Sequence, residues 1–204
     1  MISRYTYGSC IETGAVPEKP EIEAGALPFF VVDEEQMTLT YRMAEHDRVY
    51  GLGENLRGIN KRGWIYESKC TDDPNHMEEK RSLYAAHNFF VVDGSETFGV
   101  FVDYPGIVSF DIGYTKMEEL KIQASDWNLD VYVITGMDVK DIVKQFRKMI
   151  GRSYIPPLWA FGYGQSRWGY RREDDVREVV QADRDLQIPL DSVSLDIDYM
   201  ERYK

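Results

Sequence analysis

Between residues 27 and 135 the apolar residues come in short runs, and every run is broken by turn residues. Leu27–Val32 and Met37–Met43 flank the acidic turn Asp33-Glu34-Glu35, and Val49–Leu52 leads into a polar, glycine-containing stretch. Asn88–Val92 and Thr97–Val102 flank Asp93-Gly94-Ser95-Glu96, which reads as a hairpin with glycine in its turn. Ile107–Ile112, Leu120–Ala124 and Leu129–Ile134 complete the set. In the last of these Leu129, Val131 and Val133 alternate with Asp130, Tyr132 and Ile134, the two-residue period of a strand. At least seven strands joined by such turns predict an all-β sandwich rather than a repeating β/α fold.

The pattern then changes. Val139, Ile142, Val143, Phe146 and Ile150 recur at helical spacing. Asp138 is placed to cap that helix, Asp141 adds an acidic residue to its first turn, and Gly151 suits its end. Ile155-Pro156-Pro157 is a stiff connector. Beyond it a strand is expected over Leu158–Tyr163, a helix over Glu173–Leu186 with three acids in its first turn, and a second strand over Asp191–Tyr199. Strand, helix, strand implies two parallel strands. The expected organisation is a β-sandwich over 1–136, a connecting helix over 137–150, and over 151–204 an opening βαβ portion of a parallel α/β domain, too short to be a complete one.

Charge and composition narrow the function. Lys and Arg number 24 against 35 Asp and Glu, a net charge of −11. A nucleic-acid binder needs positive charge to replace phosphate counterions, and an anionic membrane surface asks for the same, so neither partner is expected. At 43% hydrophobic residues a packed core is expected and whole-chain disorder is not. Cys10 and Cys70 are expected as free thiols, the N-terminus has no apolar signal core, and no apolar run would span a bilayer, which together point to a cytoplasmic location. His46, His76 and His87 are far apart, no spacing suggests zinc, and neither a metal nor a cofactor is expected. His87, at a strand start, reads as a hydrogen-bonded structural histidine.

In parallel α/β architectures sites lie at the carboxyl ends of the strands. Here those ends present Gln165-Ser166-Arg167-Trp168-Gly169-Tyr170 and Asp196-Ile197-Asp198-Tyr199. Carboxylates accept sugar hydroxyls in charge-assisted bonds, and an indole packs the apolar C–H face, so the combination fits a carbohydrate site. Plainer roles stay open: Trp168 as a core or interface aromatic, and Asp196 and Asp198 as helix caps or as ion-pair partners of Arg167, Arg171 or Arg202.

The run Pro156-Pro157-Leu158-Trp159-Ala160-Phe161-Gly162-Tyr163-Gly164-Gln165-Ser166-Arg167-Trp168-Gly169-Tyr170, together with Leu195-Asp196-Ile197-Asp198-Tyr199-Met200, resembles glycoside hydrolase family 31, the α-glucosidases and their relatives. Tyr50-Gly51-Leu52-Gly53-Glu54 is similar to that family's early strand-and-turn motif, and Ser82–Phe90 to the strand after its first substrate loop. The resemblance runs from about Tyr50 to Tyr203. It implies a galactose-mutarotase-like β-sandwich followed by the first βαβ portion of a (β/α)8 TIM barrel, truncated.

The resemblance also implies roles. Asp196 corresponds to the aspartate that holds hydroxyls of the glucose in the −1 subsite, notably O4. Ile197 is the residue packed beside that sugar, and Trp168 the aromatic wall after the first barrel strand. The loop Cys70-Thr71-Asp72-Asp73-Pro74 is similar to the sandwich loop that offers an aspartate to substrate, with Asp72 favoured and Asp73 its alternative. Asp-Asp-Pro is equally good chemistry for a plain turn. Family members retain anomeric configuration through a carboxylate nucleophile and a second carboxyl that is acid and then base. In the family both come from later barrel strands, so no catalytic residue is expected in this chain. Ile197, where the family's α-xylosidases tend to carry cysteine, points with Trp168 to the glucosidase branch. The expected activity of the complete enzyme is release of terminal, non-reducing α-linked glucose from small oligosaccharides. The rival expectation is a non-catalytic carbohydrate-binding or interaction module built on the sandwich.

Overall fold

In a computed structural model the protein is described over residues 1–201 and 204. Arg202 and Tyr203 lie outside the described residues, so the ion pair considered for Arg202 does too. The chain forms two compact units, Met1–Arg152 and Ser153–Lys204.

The first unit contains β1 (Ile2–Tyr7), β2 (Phe30–Asp33), β3 (Thr38–Arg42), β4 (Arg48–Gly53), β5 (Trp64–Ser68), β6 (Ala86–Asp93), β7 (Phe98–Asp103), β8 (Val108–Ile112), β9 (Glu119–Ala124), β10 (Leu129–Thr135) and a helix, α1 (Val139–Ile150). Two five-stranded sheets form, in the orders β1-β10-β7-β6-β4 and β2-β3-β9-β8-β5, with every pairing antiparallel. Their inner faces make one core, to which Phe98, Val100 and Val102 contribute from the first sheet and Phe110, Ile112, Leu120 and Ile122 from the second. β8 alternates as a half-buried strand should: Val108, Phe110 and Ile112 face inward, while Ser109 and Asp111 face out.

β10 departs from that pattern, being buried from Leu129 to Ile134. Leu129, Val131 and Val133 pack into the sandwich, whereas Tyr132 and Ile134 belong to a second apolar cluster with Ile142 and Phe146 of α1. The alternation seen in the sequence therefore separates two cores rather than a core from water. Burying Ile142 and Phe146 contributes roughly 1.5–3 kcal/mol each, and this fixes α1 to the outer face of the first sheet. Close approach requires Gly99 on β7, where a Cβ would lie 2.5 Å from Ile142 Cγ2. Asp138 caps the helix by accepting from the Asp141 N–H at 2.8 Å, and Gly151, at φ 98°, ends it.

β1 and β5 are additions to the expected strands. β1 is half-buried at every position, so no alternation marks it, and β5 is short and lies inside the glycine-containing polar stretch. His87 on β6 accepts the Phe89 N–H at Nδ1 (3.1 Å) and stands edge-on to Phe146 at 5.7 Å. That desolvation lowers its pKa. Cys10 and Cys70 are free thiols. Among the described residues no helix is long and apolar enough to cross a membrane.

The second unit carries β11 (Tyr163–Arg167), α2 (Glu173–Asp185) and β12 (Leu190–Leu195), with β11 and β12 parallel. Two strand expectations need correction. Leu158–Phe161 is a turn of 3-10 helix, not strand, because the Pro157 carbonyl accepts the Ala160 N–H at 3.0 Å, which closes a helical turn, and the apolar run that follows finds no sheet partner. The strand begins only at Tyr163. The second strand stops at Leu195, and Ile197–Tyr199 forms another 3-10 turn, started by the Asp196 side chain. α2 ends within a residue of expectation. Asp175 in its first turn accepts from the N–H groups of Arg171 and Arg172 at 3.2 and 3.0 Å.

Candidate active site

In the parallel register Arg167 pairs with Leu195, the last residue of each strand. Trp168 and Asp196 are the next residues after the two strands, so both leave the carboxyl end of this pair side by side. This is the end at which parallel sheets place their sites. Gly169, at φ 109°, turns the chain immediately after Trp168, a conformation that a side chain would strain. Gln165 steadies that turn by donating through Nε2 to the Tyr170 hydroxyl at 3.1 Å, and Tyr170 is buried.

The side chains at this edge are open to solvent: Trp168 is 69% exposed and Ile197 45%. An indole in a core role would be covered, so within its unit Trp168 is not a core aromatic. The Asp196 carboxylate accepts the Ile197 N–H through Oδ1 at 2.6 Å, which caps the short turn, and among the described residues Oδ2 has no partner. Asp198 is more enclosed and pairs with Arg171 Nε at 3.4 Å. Both plain roles considered for these acids are thus realised, but unequally. Asp198 is spent on an arginine, whereas Asp196 makes a cap and keeps acceptor capacity.

Asp72 lies in the first unit, on the loop between β5 and β6. Its neighbour Asp73 accepts the Asn75 N–H at 2.9 Å and forms an ion pair with Lys80. Hydrogen bonding from Lys80, then from Asn75, holds the Asp73 carboxyl below the usual carboxylate range. Asp72 has no ion pair among the described residues. Its carboxylate stands beside the Tyr84 phenol, which desolvation and then the Asp72 charge raise above the ordinary tyrosine value. Tyr84 also packs edge-on against His76 at 5.3 Å. A bulge between Gly51 and Gly53 shifts the β4–β6 register, and Glu54 then clamps Ala85, its N–H donating to Ala85 O at 2.8 Å and its Oε2 accepting from Ala85 N at 3.1 Å. Glu54 and Tyr84 lie in two of the stretches that carry the resemblance, but sequence alone assigns neither of them a role. Tyr84 sits two residues before a strand beside an acidic loop, and only the fold brings it to Asp72.

A β-sandwich unit followed by a parallel βαβ unit with an aromatic and a carboxylate at one strand end places the chain among sheet-rich domains joined to the opening of a parallel α/β domain. Comparison with known proteins agrees. Residues 27–111 match the glycosyl hydrolase 31 N-terminal galactose mutarotase-like domain, and residues 153–204 match the glycosyl hydrolases family 31 TIM-barrel domain. Alpha-glucosidase 2 of Bacillus thermoamyloliquefaciens is 37% identical over 164 residues, 79% of this chain and 21% of that protein. An alpha-xylosidase of Saccharolobus solfataricus is 30% identical over 166 residues, 80% of this chain and 22% of its own length. A family 31 dextranase of Flavobacterium johnsoniae, solved with isomaltotriose, superposes with a TM-score of 0.74 at 28% identity, covering 87% of this chain and 22% of that one. The chain belongs to glycoside hydrolase family 31. It spans about a fifth of the length of these relatives.

Proposed function

We propose that this chain supplies the sandwich and the first sugar-holding strand ends of a retaining α-glucosidase that releases terminal, non-reducing α-linked glucose from oligosaccharides. The observation that carries this reading is the register of β11 and β12, which sets Trp168 and Asp196 next to one another at a carboxyl strand end. There Asp196 accepts sugar hydroxyls, Trp168 walls the apolar face, and Ile197 packs beside the ring. Asp72, free of the lysine that engages Asp73, is the loop carboxylate offered to substrate. The nucleophile and the acid/base belong to polypeptide outside these 204 residues, so the chain alone is inactive. Two free cysteines support a cytoplasmic setting.

The test is hydrolysis of α-glucosides and α-xylosides by the enzyme that carries this chain, with and without Asp196→Asn. Glucoside turnover is expected, and the variant should lose about 100-fold in kcat/KM, the scale of one or two charge-assisted hydrogen bonds. An enzyme inert on every α-glucoside, or indifferent to Asp196→Asn, refutes the proposal. A non-catalytic module would be indicated if the natural polypeptide had no further barrel strands.

A further inference from the structure

The outward face of the second sheet holds a trough of about 300 Å³ lined by Ser109, Asp111, Lys121, Gln123, Arg81 and Lys116. A smaller hollow of about 180 Å³, bounded by Trp64 and Tyr114, shares Ile65 and Arg81 with it, so the two run together. The trough shares no residue with the candidate active site. We propose that it is an ancillary site for a neutral oligosaccharide, an α-glucan chain held outside the catalytic centre. The choice of an α-glucan rests on the function proposed above, but the trough itself does not.

Charge balance argues for a neutral ligand. Arg81 pairs with Glu67 at 3.2 Å and Lys116 with Glu119 at 3.1 Å. Asp111 and Lys121 stand opposite each other in the β8–β9 register. Each cation along the trough thus has a carboxylate close by, and little net field remains to recruit an anion. What remains is a row of donors and acceptors, in which the Ser109 hydroxyl, the Gln123 amide and the Lys121 ammonium are set on neighbouring strands at sheet spacing. Sugar hydroxyls need such donor–acceptor pairs.

An aromatic platform stands at one end. Asp111 Oδ1 accepts from the N–H groups of Tyr114 and Thr115 at 3.0 and 3.2 Å, which fixes the β8–β9 turn. The turn presents a Tyr114 ring that is 62% exposed. Trp64 is a wall rather than a platform, because the Arg57 guanidinium lies over it at 3.9 Å from the ring centroid. A pyranose C–H face packed on Tyr114, with its chain continuing toward Lys121 and Gln123, would use both ends of the trough.

The test is electrophoresis of the 204-residue chain through gels containing soluble starch, dextran or dextran sulfate. Retardation in starch or dextran is expected. Tyr114→Ala and, separately, Lys121→Ala should raise the apparent Kd about fivefold or more, as expected for losing an aromatic or polar contact, with circular dichroism unchanged. Lys140→Ala, at an exposed position on α1 outside both sites, should leave retardation intact. The proposal is overturned if neither neutral glucan retards the chain, if only dextran sulfate does, or if Asp196→Ala abolishes binding that both trough variants keep. Failure of the proposed catalytic function is read independently, as absence of α-glucoside hydrolysis by the longer enzyme.

Discussion

Asp103 on β7 and Asp130 on β10 stand directly opposite one another in the antiparallel register, both almost wholly buried, and their ionisations are pushed in opposite directions. Burial raises Asp103, against a hydrogen bond from Thr13 Oγ1 at 2.5 Å, and its Oδ2 has no partner among the described residues. Burial works against the Asp130 charge as well. There it is outweighed by Thr6 Oγ1 at 2.6 Å and Arg4 at 2.9 Å, so the Asp130 carboxyl lies below the usual range. Through these groups the segment after β1 is tied across the outer face of the first sheet.

The sign of the pH dependence follows from linkage. A raised carboxyl such as Asp103 contributes its stability below its unfolded pKa of about 3.9 and loses it as pH rises through the higher folded value. A lowered carboxyl such as Asp130 contributes above about 3.9 and loses that contribution as pH falls through its folded value. Asp103→Asn should therefore raise the melting temperature at pH 7, with the gain shrinking as pH falls through the raised folded value and the native aspartate takes up its proton. Asp130→Asn should cost about 3 kcal/mol at neutral pH, because it leaves Arg4 without its buried partner. Chemical denaturation of both variants across pH 4–8 checks this. A pH-independent gain for Asp103→Asn would show that its charge is not the cause.

Gly99 and Ile142 define how closely α1 approaches the sheet. Gly99→Ala puts a methyl group 2.5 Å from Ile142 Cγ2 and 3.2 Å from Phe89 Cε2, and overpacking of this kind costs about 1–3 kcal/mol. Ile142→Ala alone opens a cavity and costs about 2–5 kcal/mol. Because the second change removes the atom that the first one strikes, the double variant should be more stable than the sum of the two predicts. Additivity within about 0.3 kcal/mol would mean that the helix shifts to absorb the methyl group.

The sandwich was legible because turn residues punctuate short apolar runs, and α1 because Asp138 and Gly151 bracket a helical period. β1 escaped because it is half-buried throughout, and β5 because its few residues lie among polar ones. Leu158–Phe161 misled for another reason: apolar content signals burial, yet Leu158 is 88% exposed here, and the turn closed on the Pro157 carbonyl decides its conformation instead. At the candidate site the sequence offers the acids, and for Asp196 and Asp198 three candidate arginines, but not which acid is paired. That Asp198 is engaged by Arg171 and Asp73 by Lys80, while Asp196 and Asp72 have no ion pair among the described residues, depends on side-chain placement that spacing does not encode.

That difference between neighbouring aspartates can be measured. Asp72→Asn should lower kcat/KM of the enzyme carrying this chain about tenfold or more, the scale of one charged hydrogen bond, with no change in loop order. Asp73→Ala should instead release Lys80 and the Asn75 N–H, speeding amide exchange at Asn75, and should have the smaller effect on kcat/KM. The reverse pattern would assign the substrate-facing role to Asp73.

The two units should also differ in stability. In the first, strands on both sheets have fully buried side chains, whereas Tyr170 and Leu190 are the buried hydrophobics among the described residues of the second. Tyr154, Ile155, Leu158, Phe161 and Leu186 are each more than two-thirds exposed. With so little apolar area removed from water, opening of β11 and β12 faces a small barrier in free energy. Hydrogen exchange on the isolated chain should show slow amides on β7 and β10 and fast ones from about Ser153 onward, and the exposed apolar side chains should make the chain prone to self-association. Protection at Val193 and Leu195 equal to that at Val100 and Val131 would show that the parallel pair is held by more than the contacts it makes here.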